Sequence, residues 1–209
     1  MPRSSRPTDI ILQPGEFAVG QGTCRLRTML GSCVAITLWH PQRRVGAMSH
    51  FLLANRGSQS PDKNLDARYG DEALALMLQK LSALQVDGAA CVAKIFGGAN
   101  MFQRDIAAAG PAVGRRNGEA ARQLLALHGI AVQGEHLFGE GHRQIVFDIA
   151  CGSVWVRQVP PELMRARHKG VPHSLQGTLG APETRPAPLG TGVDHPGQNA
   201  TPWPRKARA

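Results

Sequence analysis

The sequence predicts an α/β fold, a single-domain sandwich of mixed, mostly antiparallel sheet with packed helices. Three observations lead there. Short runs of β-branched and apolar residues outnumber the segments whose apolar residues recur every three to four positions. The two helical segments are separated by strand-like runs, an order that layers helices onto a sheet. An apolar share of 42% in 209 residues fills one core, since an ordinary domain spans about 100–150 residues.

The elements follow in chain order. Residues 1–9 read as a polar lead. Residues 10–19 are short apolar stretches broken by Pro14-Gly15 and predict an entering strand. In residues 24–30, Cys24, Leu26 and Thr28 alternate with Arg25, Arg27 and Met29, the period of two expected of a strand. Residues 34–39 are nearly continuous apolar sequence and predict a buried strand. His40-Pro41-Gln42-Arg43 suits a tight turn, because proline at its second position pre-sets φ. Residues 45–53 then return as the partner strand, and the polar residues 55–63 form a surface loop.

Helix signals begin near Tyr69-Gly70-Asp71, with Leu74, Met77, Leu78, Leu81 and Leu84 on one stripe. Residues 91–96 predict a strand ended by Gly97-Gly98. Residues 117–128 predict a second helix, with Ala121, Leu124, Leu125 and His128 on one face and Gly129 as its stop. Residues 130–132, 144–149 and 154–159 complete the strands, the last two joined by a Cys151-Gly152-Ser153 turn. From Pro160 onward apolar periodicity ends, and nine of the chain's 15 prolines lie there. The expected organisation is a polar lead over 1–9, one domain over 10–159, and a basic, proline-rich disordered tail over 160–209.

Charge and cysteine usage exclude several classes. The formal net charge is +9, and the tail carries seven basic against three acidic residues. Such a field speeds encounters with anionic partners without naming one. With aromatics at 5% there is no stacking platform among the basic residues, so no nucleic-acid partner is expected. No apolar run approaches the roughly 18 residues of a membrane span, and the N-terminus lacks the apolar stretch of a secretory signal. A cytoplasmic monomer without membrane insertion is the expectation. Cys24, Cys33, Cys91 and Cys151 lack any Cys-x-x-Cys spacing, which argues against zinc knuckles and a disulfide framework. His136 and His142 have no third ligand nearby, and Phe96-Gly97-Gly98-Ala99-Asn100 lacks the lysine of a phosphate loop. No metal or cofactor is expected.

One pairing carries chemistry. If Trp39 and Arg44 close the turn, counting outward sets Cys33 directly opposite His50. Directly paired residues in an antiparallel ladder share a face, with β-carbons roughly 4.5–5.5 Å apart, so thiol and imidazole can hydrogen-bond. The thiolate is the nucleophilic form, and a free cysteine with a pKa near about 8.5 needs a base to reach it. His50 would take the thiol proton and later protonate the leaving group. The Gly31-Ser32 pair favours a bend whose backbone N–H groups can hold the oxyanion of a tetrahedral intermediate. Acyl transfer from an amide or ester is the chemistry this suits. Cys24, Cys91 and Cys151 read as structural, and His128 as a helix-terminal residue.

Leu30-Gly31-Ser32-Cys33-Val34-Ala35, Gly46-Ala47-Met48-Ser49-His50-Phe51-Leu52-Leu53 and Lys94-Ile95-Phe96-Gly97-Gly98-Ala99-Asn100-Met101-Phe102 together resemble the CheD family, the chemoreceptor glutamine deamidases. Val113-Gly114-Arg115-Arg116-Asn117 is similar to that family's glycine–arginine–asparagine stretch, and its glycine pair followed by arginine appears as Gly139-Glu140-Gly141-His142-Arg143. The resemblance covers residues 10–159. It implies a protein-glutamine glutaminase that converts glutamines of methyl-accepting chemoreceptor cytoplasmic domains to glutamate and ammonia, modulating chemotaxis. In some members it also implies hydrolysis of glutamate methyl esters. It makes Cys33 the nucleophile, His50 the base and Thr28 the third functional residue.

Two other readings remain on sequence grounds. The resemblance also implies, for some relatives, a non-catalytic module exchanging between receptors and a CheC-type phosphatase. Alternatively, Cys33 could act as a redox-sensing thiol, which a low pKa would permit.

Overall fold

The computed structural model of the chain describes residues 7–57, 64–101 and 112–159. The tail expected over 160–209 and most of the loop expected over 55–63 lie outside them. Nine strands and two α-helices occur among the described residues: β1 (Thr8–Ile11), β2 (Phe17–Gln21), β3 (Cys24–Leu30), β4 (Val34–His40), β5 (Val45–Ser49), α1 (Gly70–Ala83), β6 (Val92–Gly97), α2 (Val113–Leu127), β7 (Ala131–Leu137), β8 (His142–Asp148) and β9 (Ser153–Val159). The architecture is the expected α/β sandwich, mixed and mostly antiparallel. The strands divide between two sheets, ordered β1-β3-β8-β9 and β2-β5-β4-β6-β7. Of the strand pairs among the described residues, β1–β3 and β6–β7 are parallel and the others antiparallel.

Alternation along the strands explains the layering. Val34, Ile36 and Leu38 of β4 join Val45 and Ala47 of β5 in a core shared with Leu74, Met77 and Leu81 of α1 and Ala121 and Leu125 of α2. The opposite face of the same sheet offers Ala35 and Met48. These pack with Leu26 and Leu30 of β3, Ile145 and Phe147 of β8 and Val154 of β9. The five-stranded sheet is therefore covered by helices on one side and by the four-stranded sheet on the other. β4 reads as continuous apolar sequence because both its faces are covered.

The helices form for different reasons. α1 has Asp71 and Glu72 in its first turn and Lys80 in its last, the signs that favour the helix dipole. α2 has no acidic residue in its first turn and begins at Val113, four residues before the sequence expectation. Gly114 obscured that start, since glycine weakens a helix interior. It is required by close approach: a β-carbon there would lie 2.5 Å from the Gly98 carbonyl oxygen and 2.6 Å from that of Ala99. The N-terminal turn of α2 thus lies directly on the loop after β6.

The hairpin register differs from the expected one. His40 pairs with Val45, Trp39 with Gly46 and Thr37 with Met48. The loop is Pro41-Gln42-Arg43-Arg44, with Arg44 in the left-handed region at φ 48°. Proline at the first loop position still pre-sets φ, but the closing pair is one residue further along on each strand. Pairs therefore shift by two positions, placing Ala35 rather than Cys33 across from His50. A two-residue shift preserves which face each side chain takes, whereas a one-residue slip would reverse it.

Phe147 is fully buried between the sheets. Replacing it with alanine should cost about 3–5 kcal/mol of unfolding free energy. A urea midpoint unchanged from the parent protein would contradict this inter-sheet core.

Candidate active site

Thr28 and His50 meet at one end of the space between the sheets, and Cys33 packs against the same inter-sheet cluster. Thr28 projects from β3, on the alternation that buries Cys24, Leu26 and Leu30. His50 follows the last residue of β5 and is 2% exposed. Thr28 Oγ1 lies 2.7 Å from His50 Nδ1 and 2.9 Å from the Leu12 carbonyl oxygen. A hydroxyl has a single hydrogen, and the Leu12 carbonyl has none to give, so Thr28 donates to Leu12 and accepts from Nδ1–H. That assigns the neutral Nδ1–H tautomer by the hydrogen-bond network. Nε2 is left with its lone pair, buried and without a hydrogen-bond partner among the described residues.

Main-chain contacts fix the imidazole from behind. The His50 amide donates to the Glu16 carbonyl oxygen at 2.8 Å, and the His50 carbonyl accepts from the Gly15 amide at 2.7 Å. Leu12 continues the β1–β3 pairing, its amide donating to the Arg27 carbonyl at 2.8 Å. The segment expected as one entering strand is thus two strands joined by a turn that grips His50. Burial pulls the His50 pKa down to about 4, partly opposed by the nearby Leu12 carbonyl and the charge of Glu16. The ring is neutral at physiological pH.

Cys33 lies in the bend between β3 and β4, is half-buried, and packs against the inter-sheet cluster. It therefore faces the same space as His50. The expected thiol–imidazole hydrogen bond is not made, because Nε2 has no partner. The register gives the reason. Cys33 is the diagonal neighbour of His50, and diagonal positions lie about 7–8 Å apart rather than in direct contact. Burial also pushes the Cys33 thiol pKa up, partly opposed by its own backbone amide. This removes the ground for a redox-sensing thiol, which depends on thiolate character. The resting pair is a neutral thiol beside a neutral imidazole.

The bend carrying Cys33 is clamped by the β6 end. Gly98 donates to the Cys33 carbonyl and Ala99 to the Gly31 carbonyl, both at 2.9 Å. A β-carbon on Gly97, at φ 114°, would sit 2.2 Å from the Cys33 carbonyl oxygen, so only glycine fits. The Phe96-Gly97-Gly98 segment is therefore a close backbone approach. With the carbonyls so engaged, the amides of Ser32 and Cys33 donate to no main-chain carbonyl among the described residues.

Sequence reading gave no site role to three contributors, although Asn117 and Arg143 stand in the motifs that carry the resemblance. Leu12 acts through its main chain, which no side-chain pattern reveals. Asn117, 1% exposed, donates to the carbonyls of Ser32 and Leu52 at 3.2 and 2.7 Å. Arg143 is fully buried beside this end of the sheet, paired across from Leu30. Its guanidinium donates to the carbonyls of His136 and Phe138 and lies 3.0 Å from His136 Nδ1. Burial draws its pKa down to about 10. His136, a weak metal candidate by spacing, is thus engaged with this arginine.

Similarity to known proteins gives the family. Residues 52–158 match the family model described as CheD chemotactic sensory transduction. The chain belongs to the CheD family. It is 58% identical over 161 residues to a probable chemoreceptor glutamine deamidase, CheD 2, of Albidiferax ferrireducens, covering 77% of this chain and 93% of that protein. A similarly named CheD 3 of Dechloromonas aromatica is 43% identical, with 71% and 86% covered. CheD 1 of Chromobacterium violaceum is 38% identical, with 80% and 89% covered. Thr28, Cys33 and His50 precede the residues matched by the family model. Among the described residues no helix is long and apolar enough to cross a membrane.

Gly97→Ala should destabilise the protein by at least about 1–3 kcal/mol, the ordinary cost of a strained backbone conformation, and should displace Cys33. A melting temperature and Cys33 alkylation rate equal to the parent's would show that this contact does not hold the bend.

Proposed function

We propose that this CheD-family chain is a protein-glutamine glutaminase that hydrolyses glutamine side chains of chemoreceptor cytoplasmic domains to glutamate and ammonia. The observation carrying this reading is the Leu12–Thr28–His50 chain of hydrogen bonds, which leaves Nε2 unprotonated and unpartnered on the face shared with Cys33. The names of the relatives support the substrate class. The activity belongs to residues 10–159, working in the cytoplasm.

The mechanism follows from the assigned tautomer. Substrate entry brings the Cys33 thiol to His50 by rotation about its side-chain bonds; catalytic hydrogen bonds that are long without substrate commonly tighten with it. Nε2 takes the thiol proton as Sγ attacks the carboxamide carbon, and the carbonyl electrons move to oxygen. The amides of Ser32 and Cys33, in the bend begun by Gly31, stabilise that oxyanion. The imidazolium then gives its proton to the departing nitrogen, releasing ammonia and leaving a thioester. Water attacks the thioester with Nε2 as base, and Cys33 leaves and is reprotonated. Throughout, Thr28 accepts from Nδ1–H and holds the ring plane, and the imidazolium that forms transiently keeps that bond.

Neither neutral partner favours an ion pair at rest, so proton transfer is coupled to attack. This sets the pH dependence. The base works when neutral, so activity is lost only as pH falls through the His50 pKa of about 4. kcat/KM should hold its value down to about pH 5, with no loss near the ordinary histidine pKa of about 6.5. An acid limb centred near that ordinary value would refute the buried neutral imidazole.

Cys33→Ala should abolish ammonia release from purified receptor cytoplasmic fragments while preserving the melting temperature. Thr28→Val should lower kcat by roughly 10²–10⁴-fold, the range of a general base's contribution. Peptide mapping of amide-to-acid conversion checks both. Retained turnover by Cys33→Ala would overturn the nucleophile assignment, and full cellular effect of that variant would favour a binding role.

A further inference from the structure

The ladder between the strand bearing Cys33 and the strand bearing His50 stops just short of the site. Val34 and Phe51 exchange the last pair of main-chain hydrogen bonds, at 3.1 and 2.9 Å. In a regular antiparallel ladder hydrogen-bonded pairs alternate with non-bonded ones, so the next bonded pair would be Ser32 with Leu53. It does not form. The amides of Leu52 and Leu53 both turn away to the Arg68 carbonyl, at 2.9 and 3.1 Å. Cys33 therefore lies beyond the last rung, where strands are free to splay. The diagonal Cys33–His50 separation depends on their not doing so.

Asn117 occupies the place of the missing rung. Its single Nδ2 has two hydrogens, and it bonds two carbonyls: Ser32, immediately before Cys33, and Leu52, two residues after His50. The side chain is buried, and it projects from α2, whose first turn is pressed against Gly98 and Ala99 through Gly114. The brace is thus anchored on the same loop that clamps the Cys33 bend. We propose that Asn117 is a positioning residue that sets the distance between the Cys33 thiol and His50 Nε2. A displacement of about 1 Å at a reacting pair can cost roughly 10²-fold in rate, so the brace bears on turnover and not only on folding.

The proposal rests on the hydrolase reading above, and the test separates the two. Parent, Cys33→Ala, Asn117→Ala, Asn117→Asp and Leu125→Ala proteins are compared by ammonia release from receptor cytoplasmic fragments, with melting temperatures measured in parallel. An aspartate side chain is isosteric with asparagine, but its carboxylate cannot donate to either carbonyl. Leu125 lies in the helix-side core on the same helix, so its truncation destabilises α2 without touching the site. If Cys33→Ala stays active, the hydrolase reading itself fails. If Cys33→Ala is inactive, both Asn117 variants should lose roughly 10²-fold in kcat with KM within about two-fold. Leu125→Ala should keep kcat at a temperature where it is folded. Parent-like kcat in either folded Asn117 variant, or an equal loss in Leu125→Ala, overturns the proposal. A variant-free measurement stands beside this: both side-chain amide protons of Asn117 should exchange slowly with solvent in the parent protein. Rapid exchange of either contradicts the brace even if the variants fail to fold.

Discussion

A threonine hydroxyl has one hydrogen, and in this protein the Leu12 carbonyl takes it. From that constraint the His50 tautomer follows, and from the tautomer follows which ring nitrogen can accept a proton. The constraint also orders the fold. Thr28 belongs to the four-stranded sheet and His50 follows a strand of the five-stranded one, so their bond forms only if the two sheets are packed face to face. β1 must lie beside β3 to present Leu12, and the Gly15–Glu16 turn must return along β5 to grip His50.

Among the described residues three buried side-chain polar atoms lack a hydrogen-bond partner, on Arg27, His50 and Arg143, and the one on His50 is an acceptor facing the site. Buried acceptors without partners cost about 1–3 kcal/mol, and most proteins satisfy them. Among the described residues His50 Nε2 has no partner, while Nδ1 and both main-chain groups of the same residue are bonded. An atom in that state gains when a proton donor arrives. Burial works the same way on both partners: it keeps the imidazole neutral and the thiol protonated, so charge separates only when substrate is there to accept the attack.

Much of this was legible in the sequence, and the failures have physical causes. The alternation in β3 and the continuous apolar run of β4 gave their strands directly, because burial on one or two faces writes itself into residue type. The face shared by Cys33 and His50 was legible for the same reason, since it depends only on parity. Their separation was not. Register depends on which residues close the turn, and Arg44 adopts a left-handed conformation that its side chain does not advertise. The start of α2 was hidden by Gly114, chosen for contact with Gly98 rather than for helix propensity. Division into two sheets was hidden as well, because strand pattern records burial but not which neighbour supplies it. Main-chain acceptors such as Leu12 leave no trace in residue type at all.

The central claim is the protonation state of one ring, and nitrogen NMR of the His50 imidazole reads it directly in the resting protein. The expected spectrum is that of the neutral form protonated at Nδ1, with a bare Nε2, persisting from neutral pH down to about pH 5. A ring protonated at Nε2 instead, or an imidazolium already present at neutral pH, would contradict it.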